Sequence, residues 1–432
     1  MNHQIYYFLE ITLILIYASL MLFSKGNKNK IFIEYVFLSY PFMAMNLLPS
    51  YGYPTMFDLI TISFIVLFYQ TNERTTFSKK WYQFFIILLI LSVLIGTIYA
   101  QVNSASTIAS MVQYFSIIAF VKLIIDECIF NEKLFNVIIS YMRMMVWASL
   151  FFLLAQIIIG PELTFAKSIN QNIFQGEVFR YPSYFQDPQK YAQFLSACFF
   201  ISIVPTKKEG LVKWINFLLP ILIILALLFT GGRAAFLGLL SGLVIVVLLG
   251  MPQYRIGIIG VFIALFLIAS NFSQKIPMFN RTSTVDESYE FRALVWSDAI
   301  DIWKEHPYFG IGIGNYAGYV AVHNPDQYWI ADNEITIFDH PENGYLKLLT
   351  EFGIVGFVAL FACIIYPVYM GISYFFKTKD ITTLILIAAL ISWLVGFVTV
   401  YSLGDVRIAI LIGSILALLI VRPINDIENY YE

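Results

Sequence analysis

The chain has very little charge. Asp, Glu, Lys and Arg together supply 12% of the residues, where soluble globular proteins carry about 25%. That shortage, with 59% hydrophobic residues, excludes an ordinary soluble enzyme and indicates a polytopic membrane protein. The net charge of −2 says nothing about partners, but no basic stripe exists outside short loops, so a nucleic-acid partner is not expected. Cysteine is scarce as well. Cys128, Cys198 and Cys363 lack paired spacing and sit in or beside apolar runs. This excludes a disulfide framework and a cysteine metal site, and the three read as small hydrophobes. A nucleotide fingerprint is missing: Gly310-Ile311-Gly312-Ile313-Gly314 has no preceding strand and no sixth-position glycine. A cleavable leader is not expected either. Residues 5–23 are apolar over the length of a spanning helix, and the basic flank of Lys25, Lys28 and Lys30 follows them instead of preceding them. They read as a retained first span with its N-terminus outside.

What is present is a series of apolar runs. They lie at about 5–23, 31–49, 55–70, 82–100, 105–125, 134–159, 189–204, 213–230, 234–250, 256–272, 350–374, 381–400 and 406–421. By length they predict an all-α bundle of roughly 12–13 spans. Simple alternation places the loops with Lys25, Lys80, Lys207/Lys208, Arg255 and Lys377/Lys379 on one side. By the positive-inside bias that side is cytoplasmic. The chain divides into spans over 1–272 with an external loop at 160–188, a long external loop at 273–349, and C-terminal spans over 350–432 ending in a short cytoplasmic tail.

The external side departs from the charge bias, since Arg180, Arg233, Arg281, Arg292 and Arg407 all fall there or at the outer boundary. A bound anion is the simplest reason, because the planar guanidinium fork can hold two oxygens at once. Arg233 follows Gly231-Gly232 between two apolar runs, so it sits at the membrane edge, gripping a phosphate or snorkelling to headgroups. Arg180 lies in FRYPSYFQDPQKYA, where Asp187-Pro188 marks a helix start; its alternative partners are Asp187 and Glu177. Arg292 stands four residues before Trp296, on one side of a helix, with Glu290 and Asp298 as alternative partners. Arg407 has Asp405 two residues before it, which favours a local pair. Arg143, inside a span, reads as an interhelical pair or a snorkelling side chain.

The long loop ends on DHPENGYLKLLTEFGIVG. His340 or Glu342 could accept a proton from an incoming hydroxyl. Alternatively His340 is an exposed loop residue and Glu342 an acid favoured at a helix start. Asn343 suits the cap of a helix beginning near Gly344. The glycine run at 310–314 suggests a flexible turn where backbone approaches a ligand.

Arg292-x3-Trp296, then HPYFGIGIGNY, then PENGYLKLLTEFGIVG together resemble the bacterial O-antigen ligase and polymerase superfamily. The resemblance covers about 180–360 in motif terms. It implies a metal-independent membrane glycosyltransferase with no cofactor, in the bacterial cytoplasmic (inner) membrane, its active site facing the periplasm or cell exterior. Its partners would be an undecaprenyl-diphosphate-linked glycan and membrane lipid, with a flippase and a chain-length regulator as further candidates. Catalytic residues on this reading are Glu342 and His340. Arg233, Arg180, Arg292, Asn343 and Tyr345 would bind diphosphate or glycan. One departure matters. In the ligase branch a histidine precedes Asn directly and lies nine residues before the Glu of Glu-x-Gly; counting back nine from Glu351 reaches Glu342, not His340. This favours polymerisation of O-antigen, capsular or related repeat units, with ligation of the glycan to lipid A–core as the alternative. A polysaccharide transporter is a third reading, disfavoured because no repeated halves are visible and the polar groups gather on one face.

Overall fold

The computed structural model describes residues 3–46, 54–70, 80–99, 104–160, 178–205, 211–250, 285–323 and 341–431, with short pieces at 102, 163, 174–175, 329–331 and 334–336. The expected span at 256–272, and with it Arg281, lies outside the described residues, as does His340.

The protein is an all-α membrane bundle. Its helices are α1 (His3–Phe23), α2 (Lys28–Leu38), α3 (Met56–Leu67), α4 (Lys80–Ile98), α5 (Ser104–Phe130), α6 (Lys133–Ile159), α7 (Pro188–Ile203), α8 (Leu211–Thr230), α9 (Arg233–Ile245), α10 (Val285–Glu305), α11 (Tyr316–His323), α12 (Gly344–Thr378), α13 (Ile381–Phe397) and α14 (Val406–Tyr431). Two small antiparallel hairpins lie in the polar segments, β1 (Phe174–Gln175) with β2 (Val178–Phe179), and β3 (Trp329–Ala331) with β4 (Glu334–Thr336). Among the described residues, five stretches are long and apolar enough to cross a membrane: Ala105–Phe130, Lys133–Ile159, Arg233–Gly250, Gly344–Thr378 and Val406–Asn425. Shorter apolar helices, Phe8–Phe23, Met56–Leu67, Tyr82–Ile98, Asn216–Thr230 and Ile381–Phe397, lie in five of the remaining predicted runs. Large side chains such as Phe8, Phe151, Ile158 and Ile365 are exposed on the outside of the bundle. Apolar surface on this scale marks a membrane-facing belt.

The core sits on α7, α13 and α14, which are buried on almost every side. Small residues set how closely their neighbours approach. A Cβ on Gly238 of α9 would overlap the Ser392 carbonyl of α13, and one on Gly242 would overlap Phe200 and the Ala388 carbonyl. Glycines four apart let two helix backbones come together where there is no hydrophobic drive between helices in lipid. This contact holds α9, and with it Arg233 at its first position.

Two local features differ from the apolar pattern. The run at 31–49 is not one helix, because α2 stops at Leu38 and Tyr40-Pro41-Phe42 forms a 3-10 turn. Proline lacks the N–H that an α-helix interior needs. The chain then turns back, with Met56 N donating to Met45 O at 2.8 Å and Phe57 N to Met43 O at 3.2 Å. Arg143, as an interhelical partner, donates to the carbonyls of Ile201, Ser202 and Val204. These are the orphan acceptors at the C-terminal end of α7.

Candidate functional site

The site is built by a break in a helix. Helix α12 starts at Asn343, whose Oδ1 accepts from Tyr345 N at 2.9 Å and Leu346 N at 3.2 Å, the cap its sequence predicts. Ten residues on, Gly353 takes φ 63 and ψ −177 and interrupts the helix. The freed backbone groups are taken up by the segment after α10. Ile311 N donates to Thr350 O at 3.0 Å and Gly312 N to Glu351 O at 3.2 Å. Ile354 N donates to Pro307 O at 2.8 Å and Val355 N to Tyr308 O at 3.2 Å. A Cβ on Gly310 would overlap Thr350 and Glu351 backbone, and one on Gly353 would overlap Tyr308 backbone. The glycine run therefore approaches another stretch of backbone closely. Glu351, 2% exposed, accepts from the Tyr316 N–H at the start of α11 at 3.2 Å and pairs with Lys347 at 3.6 Å. It is a structural anchor.

This clamp is expected to be sensitive. Gly353→Ala should destabilise the protein by about 1–3 kcal/mol for the backbone strain alone, with the overlap on Tyr308 adding to it. A thermal melt of the purified protein checks this; an unchanged midpoint would mean the clamp contributes nothing.

The clamp docks α10 on α12 and so carries Arg292 to Glu342. The Arg292 Nη2–Glu342 Oε2 distance is 3.7 Å, and both side chains are half-buried. Asp298, one of the local partners the sequence offered, does not appear in that pairing, and the side chain of Glu290, the other, lies outside the described residues. Glu342 sits at φ 48, a left-handed conformation uncommon for a residue with a Cβ. One turn from Arg292, the indole N–H of Trp296 is buried and makes no hydrogen bond among the described residues. Sequence reading did not single out Trp296 as a site residue, although its four-residue spacing from Arg292 was the available signal.

Arg180 arrives from another direction. It is 2% exposed, and its Nε donates to Thr230 O at the end of α8 at 2.8 Å. Gly231, at φ 66, makes room for it, since a Cβ there would stand 3.1 Å from Arg180 Nε. A Cβ on Gly232 would overlap Ala192 of α7. The Gly-Gly pair thus lets Arg233 follow Arg180 closely, half-buried at the start of α9. Burial pulls the Arg180 guanidinium below its ordinary range; Asp187 and Glu342 oppose that, and Arg233 adds to it. Its Nη1 is buried without a hydrogen-bond partner among the described residues. Arg180, Arg233, Arg292 and Glu342 therefore form one cluster, in which arginines outnumber the carboxylates Glu342 and Asp187. An excess of fixed, partly desolvated guanidinium groups is the chemistry of an anion site.

The other predicted residues serve the frame. Asp187 caps α7 by accepting from Gln189 N at 2.7 Å. Tyr345 donates its hydroxyl to Leu394 O at 2.8 Å and packs on Phe361 and Phe397. Arg407 pairs with Asp405 at 2.6 Å and donates to Tyr184 O at 2.6 Å, the local pair its spacing suggested.

The sequence is also similar to known proteins. Residues 218–361 match the O-antigen ligase family domain, a stretch that holds Arg233, Arg292, Glu342 and the Gly353 break. Over 409 residues, 87% of this chain and 80% of the other, the sequence is 24% identical to the teichuronic acid biosynthesis protein TuaE of Bacillus subtilis (strain 168). With an all-α membrane bundle around these motifs, the chain is similar to the O-antigen ligase and polymerase superfamily, and the likeness to its family domain spans residues 218–361.

Proposed function

We propose that the protein polymerises undecaprenyl-diphosphate-linked repeat units into a surface polysaccharide, O-antigen, capsular or related, at the outer face of the cytoplasmic membrane. The observation that carries this reading is the single cluster of Arg180, Arg233 and Arg292 around Glu342. The acceptor hydroxyl oxygen attacks the anomeric carbon of the donor, and the bond from that carbon to the diphosphate breaks. The electron pair leaves on the diphosphate oxygen, where the arginines stabilise it. Glu342 or His340 takes the proton from the acceptor hydroxyl. The arginines, not a metal ion, supply the countercharge. Asn343 fixes the start of α12 through Oδ1 and keeps its amide nitrogen for the glycan, while Tyr345 positions that turn against α13. A flippase would deliver the donor, and a chain-length regulator would act on the product. Glutamate at the position nine residues before Glu351 favours polymerisation over ligation to lipid A–core.

Surface glycan from a deletion strain tests the reading. Chains truncated to a single repeat are expected. Full-length chains left on the lipid carrier would make the protein a ligase instead.

Orientation has its own test. With Lys207/Lys208 inside, a cysteine introduced at Asn324 should react with an impermeant thiol reagent in intact cells or spheroplasts. Protection there, with labelling of Lys208→Cys, would reverse the topology.

A further inference from the structure

A polar well of about 220 Å³ opens between the starts of α3, α5, α7 and α14, apart from the arginine cluster. The two share one loop. Residues 180–187 carry Arg180 toward Thr230 at one end and set Gln186 in the wall of the well at the other.

The frame of the well is fixed by groups that are already engaged. Asp58 Oδ2 accepts from Thr55 N at 2.9 Å and Thr55 Oγ1 at 2.7 Å. Asp405 holds Arg407. Gln113 donates to Leu403 O at 3.1 Å, and Ser106 donates to Gly314 O at 2.8 Å. Into this frame project Ser110, Gln186 and Lys190, for which no hydrogen bond is formed among the described residues. Polar groups held in place before a ligand arrives lower the cost of ordering on binding.

The lining selects a ligand class. The acids Asp58 and Asp405 balance the cations Lys190 and Arg407, so the well has no surplus charge for an anion, in contrast to the arginine cluster. Its lining contains no aromatic side chain and little apolar surface, which does not suit a lipid tail or a flat ring. Its volume is below the roughly 300–1,000 Å³ of sites for drug-sized ligands, enough for one small polyhydroxyl group. A hydroxyl, an amide that both donates and accepts, and an ammonium match the alternating donors and acceptors of sugar hydroxyls.

We propose that this well is a subsite for one neutral pyranose ring of the glycan, separate from the diphosphate site and held next to it by the 180–187 loop. The assignment rests on the reading that the protein handles lipid-linked glycans. Saturation-transfer NMR on the full-length protein in detergent tests it, with methyl glycosides of neutral hexoses, N-acetylhexosamines and 6-deoxyhexoses as probes and methyl glucuronide and sodium pyrophosphate as comparators. At least one neutral glycoside should receive saturation. Gln186→Leu should weaken its binding by up to about tenfold, the effect of one lost hydrogen bond. Ala109→Phe, which fills the well, should abolish it. Should Ala109→Phe fail to fold, Gln186→Leu decides, since its side chain is exposed. Arg233→Ala should keep the sugar signal. No neutral glycoside binding, binding unaltered by Gln186→Leu, a preference for the glucuronide, displacement of the sugar by pyrophosphate, or loss of the signal in Arg233→Ala would each overturn the assignment. Elongation of lipid-linked repeats, assayed in parallel on the unmodified protein, reports on the polymerase reading by itself: glycoside binding without elongation keeps the well and removes the polymerase, and elongation without glycoside binding does the reverse.

Discussion

Arg233→Ala is expected to stop chain growth while the protein accumulates normally in the membrane. Arg233 begins α9 beside the buried Arg180, and the close α9–α13 packing fixes the helix that carries it. Removing one preorganised group from a developing negative charge costs about 10²–10³-fold in rate, enough to eliminate visible polymer. Arg233→Lys should rescue poorly, because an ammonium is a point charge and does not reproduce a two-pronged grip. Polymer ladders from cells with matched expression measure this. Full activity of the alanine variant would remove Arg233 from the diphosphate site.

The second large effect separates the two candidate bases. If Glu342 takes the proton, Glu342→Gln keeps size and hydrogen bonding but loses the acceptor, at a cost of about 10²–10⁴-fold. His340→Gln is then milder. If His340 takes the proton, the order inverts, and activity also falls as pH drops through the imidazole range near ~6.5. Glu342 has a left-handed backbone and an ion pair to Arg292, and the ion pair holds its carboxylate beside that guanidinium. Arg292→Ala should therefore reduce activity beyond the loss of one cation, because it also releases Glu342. Rates on purified lipid-linked substrate decide between the two. If neither Glu342→Gln nor His340→Gln slows transfer, both assignments fall and the loop only binds glycan.

Much of the frame was legible because its signals are local. The apolar runs became helices, Asp187-Pro188 opened α7, and Asn343 capped α12. In each case the side chain and the group it satisfies lie within a few residues. Arg407 and Asp405 paired for the same reason. The site itself was only partly legible, because its decisive contacts are distant in sequence. Nothing near Glu351-Phe352-Gly353 indicates that α12 breaks there. The break is stabilised by hydrogen bonds from a segment some forty residues earlier, with Pro307 and Gly312 among its members. Without that clamp, Arg292 had only Glu290 and Asp298 to suggest as partners, and its pairing with Glu342 stayed hidden. Residues 31–49 misled for a different reason. Hydropathy does not distinguish a long helix from a short one that Pro41 ends and a turn that folds back. The polar well was invisible because its lining comes from four separate helix starts.

Whether one protein, with the arginine cluster at its site, joins lipid-linked repeats can be measured by incubating the purified protein with labelled undecaprenyl-diphosphate-linked repeat units in detergent, where no gradient exists. A ladder of products that grow by one repeat unit and remain on the carrier is expected, absent with Arg233→Ala. Repeat units that stay single with the unmodified protein, and that merely cross the bilayer when it is reconstituted in vesicles, would contradict that expectation.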